Sequence, residues 1–343
     1  MGSNKQMSFS EMEFQAKRKK VRKEVFFEKM EKIIPLKEWC RIIEPYYYER
    51  GNGRQPIKLE IMLKMYLVSQ WFNLSDNEAE DMLNDSMSVR NYIGLDGDAP
   101  DATTLCKFRS ILEKNGVTEK IFKSFNAKLE REHVILREGT IVDATIVEAP
   151  TSKKNESHQR TPEMGATQKN GEHHYGTKAH IGIDKDSRIV HSITVTPANV
   201  NDIEEVGNLV HGEEKEVYAD AGYIGIEYRT GICEKFQDGS GEVEWIKNNN
   251  KASKRHLVCK KRTDVKFEIS KKRHTITTDI ERETEREKSR VRIRVEHIFA
   301  VIKERFGCRK TRYRTLNKVR TKLVMLFTLA NVLTYSRMKL CTQ

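Results

Sequence analysis

Three acidic residues, Asp143, Asp220 and Glu296, stand in settings that suit the holding of divalent metal ions. Asp143 lies inside Thr140-Ile-Val-Asp-Ala-Thr-Ile-Val147, a short β-branched run that reads as a strand. Side chains alternate faces along a strand, so Asp143 shares its face with Ile141 and Thr145 and must open onto a pocket or be buried at high cost. Asp220 ends the strand Glu216-Val-Tyr-Ala-Asp220, just before Ala221-Gly222. The carboxyl ends of strands are where open sheets hold their ligands. Glu296 falls in a helix expected over about 283–306, whose apolar face is Val291, Val295, Ile298, Ile302 and Phe306. At about 100° per residue, Ser289, Arg292, Glu296 and Lys303 share a neighbouring stripe within about 60°. That stripe sets one carboxylate beside the packed face, with Arg292 and Lys303 able to approach a phosphate.

The residue types explain the expected chemistry. Mg²⁺ takes hard oxygen ligands and keeps some water, so carboxylates and phosphate oxygens suffice. Two ions, Mg²⁺ or Mn²⁺, roughly 3.5–4 Å apart would clamp the attacking and leaving oxygens of an in-line displacement at a phosphodiester. Any one of the 50 acids is more often a solvated group than a ligand, so the weight rests on the constellation. Lys178 and His180 share one face of a hairpin strand and either line the site or supply edge charge. His297 points about 100° away from Glu296 and reads as a packed histidine. Asp202 reads as a carboxylate favoured at a helix start. His158, His173 and His174, and His256-x-x-Cys259, lack the paired spacing of a zinc site.

The elements that must position these residues begin with a mostly helical region, 1–135. Within 58–72, Leu59, Met62, Leu63, Tyr66 and Leu67 recur at helical spacing, and Asp101 or Thr103 can cap a helix over 103–114. A basic arm spans 17–23. After Gly139 the texture changes to a strand, a polar stretch at 148–174 expected to be a mobile loop, a hairpin over 178–184 and 188–196, a helix over 201–210, and the strand ending at Asp220. From 251 to 274 there are ten Lys and Arg against two acids, with strand candidates at 243–246 and 256–259. From 305 to 322 there are eight Lys and Arg and no acid. The order of strand, hairpin, helix, strand, insertion and helix predicts an α/β protein of RNase H-like fold, a mixed sheet flanked by helices. The expected division is a helical domain at 1–135 for DNA binding or dimerisation, a core at 136–230 and 283–343, and a basic insertion at 231–282.

A net charge of +12 and a pI near 9.3 point to a polyanionic partner. The expected DNA contacts are Lys254, Arg255, Lys260, Lys261, Arg262, Lys271, Lys272 and Arg273 in the insertion, with Arg312 and Arg314 beyond it. Tyr313, between the last two, could stack on a base or simply pack. Six scattered cysteines without a C-x-x-C pair suit a reduced cytosolic setting. No apolar segment near the start suggests a secretory signal, and the longest apolar run, 323–333, is about half a membrane span.

Asp143-Ala-Thr, His174-Tyr-Gly-Thr-Lys-Ala-His180, Tyr218-Ala-Asp-Ala-Gly-Tyr223 and Arg294-Val-Glu-His-Ile-Phe299 resemble the signature segments of bacterial insertion-sequence transposases of the IS-five type. The spacing of Arg292, Glu296 and Lys303 is similar to that of a wider DDE transposase group, which usually has Tyr where this chain has Ser289. Residues 100–109 resemble the family's helical amino-terminal domain, so the likeness covers nearly the whole chain. It implies a cytoplasmic, nucleoid-associated enzyme, dimeric on double-stranded DNA, that binds short terminal inverted repeats and excises or inserts the element. Asp143, Asp220 and Glu296 are then its catalytic metal ligands. Two other readings fit the same residues: a catalytically inactive, domesticated DNA-binding protein, and an RNase H-like nuclease without strand transfer.

Overall fold

The computed structural model describes residues 19–48, 55–95, 97–151, 160–169, 171–235, 244–247, 255–258 and 265–341. Lys254, Lys260, Lys261 and Arg262 lie outside these, and of Arg255 and Arg273 only the backbone is described. The chain divides into two units, 1–121 with 335–343, and 122–334.

The first unit is helical: α1 (Arg22–Ile33), α2 (Leu36–Ile43), α3 (Leu59–Trp71), α4 (Asp76–Asp85), α5 (Met87–Ile93) and α6 (Ala102–Lys114). The spacing predicts one apolar face on α3. Instead every residue from Met62 to Trp71 is buried, because α2, α4, α5 and α6 pack around it. Lys64 tolerates that position by pairing with Glu31 at 2.9 Å and Glu60 at 3.2 Å, its ammonium 5.2 Å from the centre of the Tyr92 ring. Asp101 caps α6 as expected, accepting from the Thr104 amide at 2.6 Å.

The second unit is built on a six-stranded sheet. Its centre is β1 (Gly139–Glu148), with β3 (Glu172–Asp184) antiparallel on one side and β5 (Glu216–Ala219) parallel on the other. The far edge of β3 pairs first with β2 (Gly165–Lys169) and then with β4 (Val190–Pro197). Beyond β5 lies β8 (Lys266–Ile269), also parallel. A separate pair, β6 (Glu244–Lys247) and β7 (Arg255–Val258), stands off the sheet. This is the RNase H-like mixed sheet, flanked by helices, that the element order predicts.

Three elements differ from expectation for identifiable reasons. The polar stretch before residue 174 contains β2 and the start of β3, because an edge hairpin needs no apolar run. Within the basic segment, Val265, Phe267 and Ile269 alternate with Lys266 and Glu268, and the charges hide a period-2 strand that completes the sheet. The helix expected at 201–210 breaks into a 3₁₀ turn at Asp202–Glu204 and a single turn, α8 (Val206–Leu209).

Both faces of the sheet are covered. Val142, Val217 and Ala219 pack with Ile203, Val206, Leu209, Tyr223 and Ile232, the last from α9 (Thr230–Lys235). Across the other face runs α10 (Asp279–Ala300), which packs on β1 and β5 and buries Val295 and Ile298. Its start is fixed by a capping box in which Thr278 Oγ1 accepts from the Glu281 amide at 3.2 Å. It ends in a π turn, Val301–Arg305. The chain between the units runs through α7 (Val117–Arg131) and back through α11 (Leu316–Cys341). Within the second unit the α11 residue Asn331 is fully buried and donates to the Val190 carbonyl at 2.7 Å and to Asn126 at 3.0 Å. No helix among the described residues is long and apolar enough to cross a membrane.

Candidate active site

The register of the parallel strands builds the site. Ile141 pairs with Tyr218, so two residues further on Asp143 stands level with Asp220. Neighbouring strands lie about 4.8 Å apart, and equal parity puts both carboxylates on the face crossed by α10. Likewise Ala219 pairs with Ile269, so Ser270 is level with Asp220. Arg292 reaches over this row from α10 and donates from Nη1 to Ser270 Oγ at 3.2 Å. Farther along the same face, Lys288 pairs with Glu268 at 3.2 Å, and Arg294 bonds the Lys185 carbonyl.

The two carboxylates have few partners of their own. Asp143 accepts the Ala144 amide at 2.7 Å, and Asp220 accepts the Gly222 amide at 2.8 Å. A Cβ on Gly222 would lie 2.9 Å from Asp220 Oδ1, so a larger residue there would push that carboxylate aside. Burial, and then the Asp220 charge, push the Asp143 carboxyl up to about 6, although Arg292 and Lys169 pull the other way. A pair of acids in this state is what a divalent cation would relieve, and the hard oxygen donors suit Mg²⁺ or Mn²⁺.

Glu296 is exposed on α10, one turn beyond Arg292. Among the described residues no three His, Cys, Asp or Glu side chains converge closely enough to hold an ion. The aspartates come together, and Glu296 stands outside the pair. Lys303, in the π turn, is half-buried, and its ammonium is lowered by burial and by the nearby Lys169 and Arg309. Lys169, at the end of β2, thus acts on both Asp143 and Lys303.

Lys178 and His180 face elsewhere. His180 pairs with Ala144, and so shares the face of Val142 rather than that of Asp143. Lys178 Nζ lies 2.9 Å from Asp202 Oδ1 and donates to the Val200 carbonyl at 2.9 Å. His180 is fully buried, with Nε2 2.8 Å from Thr196 Oγ1 and Nδ1 3.7 Å from Asp202. Burial lowers its pKa. Asp202 therefore serves these two side chains rather than only the start of a helix.

Asp220 opens into a cleft of about 660 Å³, lined by Lys271, Lys272, Arg282, Arg286, Arg290 and Arg292, with Glu285 and Ser289 among them. Lys271 is paired to Glu281 at 2.7 Å. Arg312 and Arg314 are exposed, and Tyr313 is half-buried with Lys322 5.8 Å from its ring centre. Sequence reasoning missed Lys169, Ser270, Arg286 and Arg290. The strand alternation around Phe267 was the only signal that could have placed Ser270.

A family model described as Transposase DDE domain matches residues 135–332, more than half of the chain. A second, described as Transposase domain (DUF772), matches residues 15–110. No solved structure matches the chain. With a matched span that takes in the whole mixed sheet, the paired aspartates and the helix laid over them, the chain belongs to the DDE transposases.

Proposed function

We propose that this transposase cuts DNA at the ends of its own element and joins those ends to target DNA, using Asp143, Asp220 and Glu296 as an acidic set for Mg²⁺ or Mn²⁺. The observation that carries the reading is the level pair Asp143 and Asp220, of which Asp220 opens into a cleft with six basic side chains. Asp143 and Asp220 would hold the ions from the sheet, and Glu296 would join them from α10. Two bound ions supply charge neutralisation at the reacting phosphate and acidify water at that place. Arg292, fixed by Ser270, orients a phosphate beside the pair, and Lys169 and Lys303 add positive charge on the β2 side. Lys271, Lys272, Arg286 and Arg290 guide the strand that enters, while Arg312 and Arg314 contact DNA further out. The reading carries with it a homodimer on terminal inverted repeats, working in the bacterial cytoplasm at the nucleoid.

A second reading, DNA binding without cleavage, draws on one observation: Glu296 is exposed and apart from the aspartates. A plasmid bearing the element's ends separates the two. Nicking that needs Mg²⁺ or Mn²⁺ and falls by about 10³-fold or more in Asp143→Asn, Asp220→Asn and Glu296→Gln is expected. Undiminished nicking in Glu296→Gln alone would remove that residue and leave the pair. Absence of metal-dependent nicking by the wild type would favour the second reading.

A further inference from the structure

The helical unit holds a cleft of its own, of about 410 Å³, lined by Tyr47, Tyr48, Met62, Thr104, Lys107 and Phe108. That size lies within the range of small-ligand sites, about 300–1,000 Å³. Thr104, Lys107 and Phe108 stand at i, i+3 and i+4 on α6, so one helix face supplies a hydroxyl, a cation and a ring. Two of the rings are fixed. Tyr47 donates its hydroxyl to the Ile57 carbonyl at 2.8 Å and meets Phe108 edge-on, with ring centres 6.0 Å apart. Phe108 is 1% exposed and backed by Tyr66, 6.1 Å between ring centres. Tyr48 differs: its ring centre is 5.7 Å from that of Tyr47, yet the residue is 57% exposed. An aromatic ring standing in water beside a pocket of other rings suits the stacking of a flat partner.

Charge indicates what that partner is. Lys107 is exposed, and among the described residues no carboxylate lines this cleft. Another cleft of the same unit, of about 770 Å³, carries Glu31, Glu38, Glu44 and Glu60 against three bases, and Lys64 among those is already paired. A polyanion is repelled there and attracted to the aromatic cleft, whose single charge is positive. Rings for stacking, a hydroxyl for a polar edge and a cation for a phosphate together match one nucleotide. In a duplex the base faces are covered by their neighbours, so such a cleft reaches a base that has left the stack.

We propose that this cleft takes an unpaired nucleobase of DNA, stacked on Tyr48, with Lys107 on the adjoining phosphate. The inference rests on the DNA-binding part of the proposed function and needs neither the acidic set nor a metal ion.

The test uses the full chain in EDTA, so that no cleavage intervenes. Fluorescence anisotropy follows binding of a labelled single-stranded oligothymidine, and of a hairpin duplex with the same number of phosphates, over a series of salt concentrations. Tyr48→Ala, at an exposed position, is expected to weaken single-strand binding about tenfold, with duplex affinity and the salt slope unchanged. Tyr48→Phe should bind like the wild type, because the ring face suffices. Lys107→Ala should lower the single-strand salt slope by about 0.7, the share of one phosphate. Undiminished single-strand binding in Tyr48→Ala overturns the proposal, and so does an equal loss on both probes. A changed oligomeric state in Tyr48→Ala with DNA binding intact assigns the cleft to a second copy of the chain and also overturns it. If the wild type binds neither probe, the DNA-binding reading itself falls, an outcome distinct from failure of the cleft alone.

Discussion

At the amino end of β1, Asp184 is 1% exposed and accepts from the amides of Leu136, Arg137, Asp186 and Ser187 and from the Ser187 hydroxyl. Nearby, Glu214 is fully buried and accepts from Thr140 Oγ1 at 3.0 Å, the His211 amide at 2.9 Å and the Gly212 amide at 2.7 Å. At the level where β5 ends, Asp143 and Asp220 accept one amide each and stand side by side on one face of the sheet. One sheet thus carries two kinds of inward acid. Those at the amino end are saturated with donors and hold turns together. Those at the carboxyl end are left short, and burial first, then the nearby Asp220 charge, disfavours the charged state of Asp143. Shortage of donors, rather than burial, sets apart the acids to which the proposed function gives work beyond folding.

Exchanging charge for an amide should move the two groups in opposite directions. Asp184→Asn sets new N–H donors against donors already in place, and should cost about 3 kcal/mol in urea unfolding. A loss under about 1 kcal/mol would break the comparison. Asp143→Asn should instead stabilise the metal-free protein at pH 8, by on the order of 2 kcal/mol. The sign follows from its carboxyl, which titrates near 6 when folded against 3.8 as the ordinary value. Folding is then favoured while the group is protonated, and stability declines as pH rises from about 4 to about 6. No gain in Asp143→Asn would mean the pair is not strained.

Acid titration sharpens the contrast from the other end. His191, packed between Thr140 and His211, is lowered to about 3, by burial first and by His211 next, against an ordinary 6.5. Its neutral form belongs to the folded state, so its contribution is intact above pH 6.5 and lost as pH falls toward 3. The expected slope is on the order of 1 kcal/mol per pH unit, and flatter in His191→Gln. An equal slope in both proteins would remove His191 as the cause. The smallest effect concerns the helix over the pair. Thr278→Ala should cost about 1 kcal/mol and speed hydrogen exchange in the first turn of α10, leaving both sets of acids as they were. Unchanged exchange there would discount the cap.

How far the site was legible follows from what each residue needs. Asp143 and Asp220 announce themselves because an acid inside or at the end of a β-branched run has little reason to be there otherwise. Their being level was not readable, since it depends on a parallel register that no local pattern encodes. Lys178 and His180 show the same gap. Their shared parity was plain, but which face it meant required the Ala144–His180 pairing. Helical arithmetic put Glu296 on the stripe of Arg292 without fixing its distance from the aspartates. In the fold, β2 and β8 were obscured by polar and charged residues, while α6 and β1 were declared by a cap and by β-branching.

The first half of α10 carries a consequence for selectivity. Between 279 and 290 there are five acids and four bases, so this stretch of the helix is almost neutral, although the residues it gives to the cleft, Arg282, Arg286 and Arg290 against Glu285, leave the cleft itself positive. Arg282 leans on Asp279 at 2.7 Å and Arg286 on Glu283 at 3.1 Å, both at the surface, where such pairs contribute little. Under the proposed function, these arginines would turn from their acids to phosphates at little cost, and the interleaved acids would repel a strand whose phosphates do not match the arginine spacing. A surface of alternating sign discriminates by geometry, whereas a uniformly basic one would capture any duplex that drifted past.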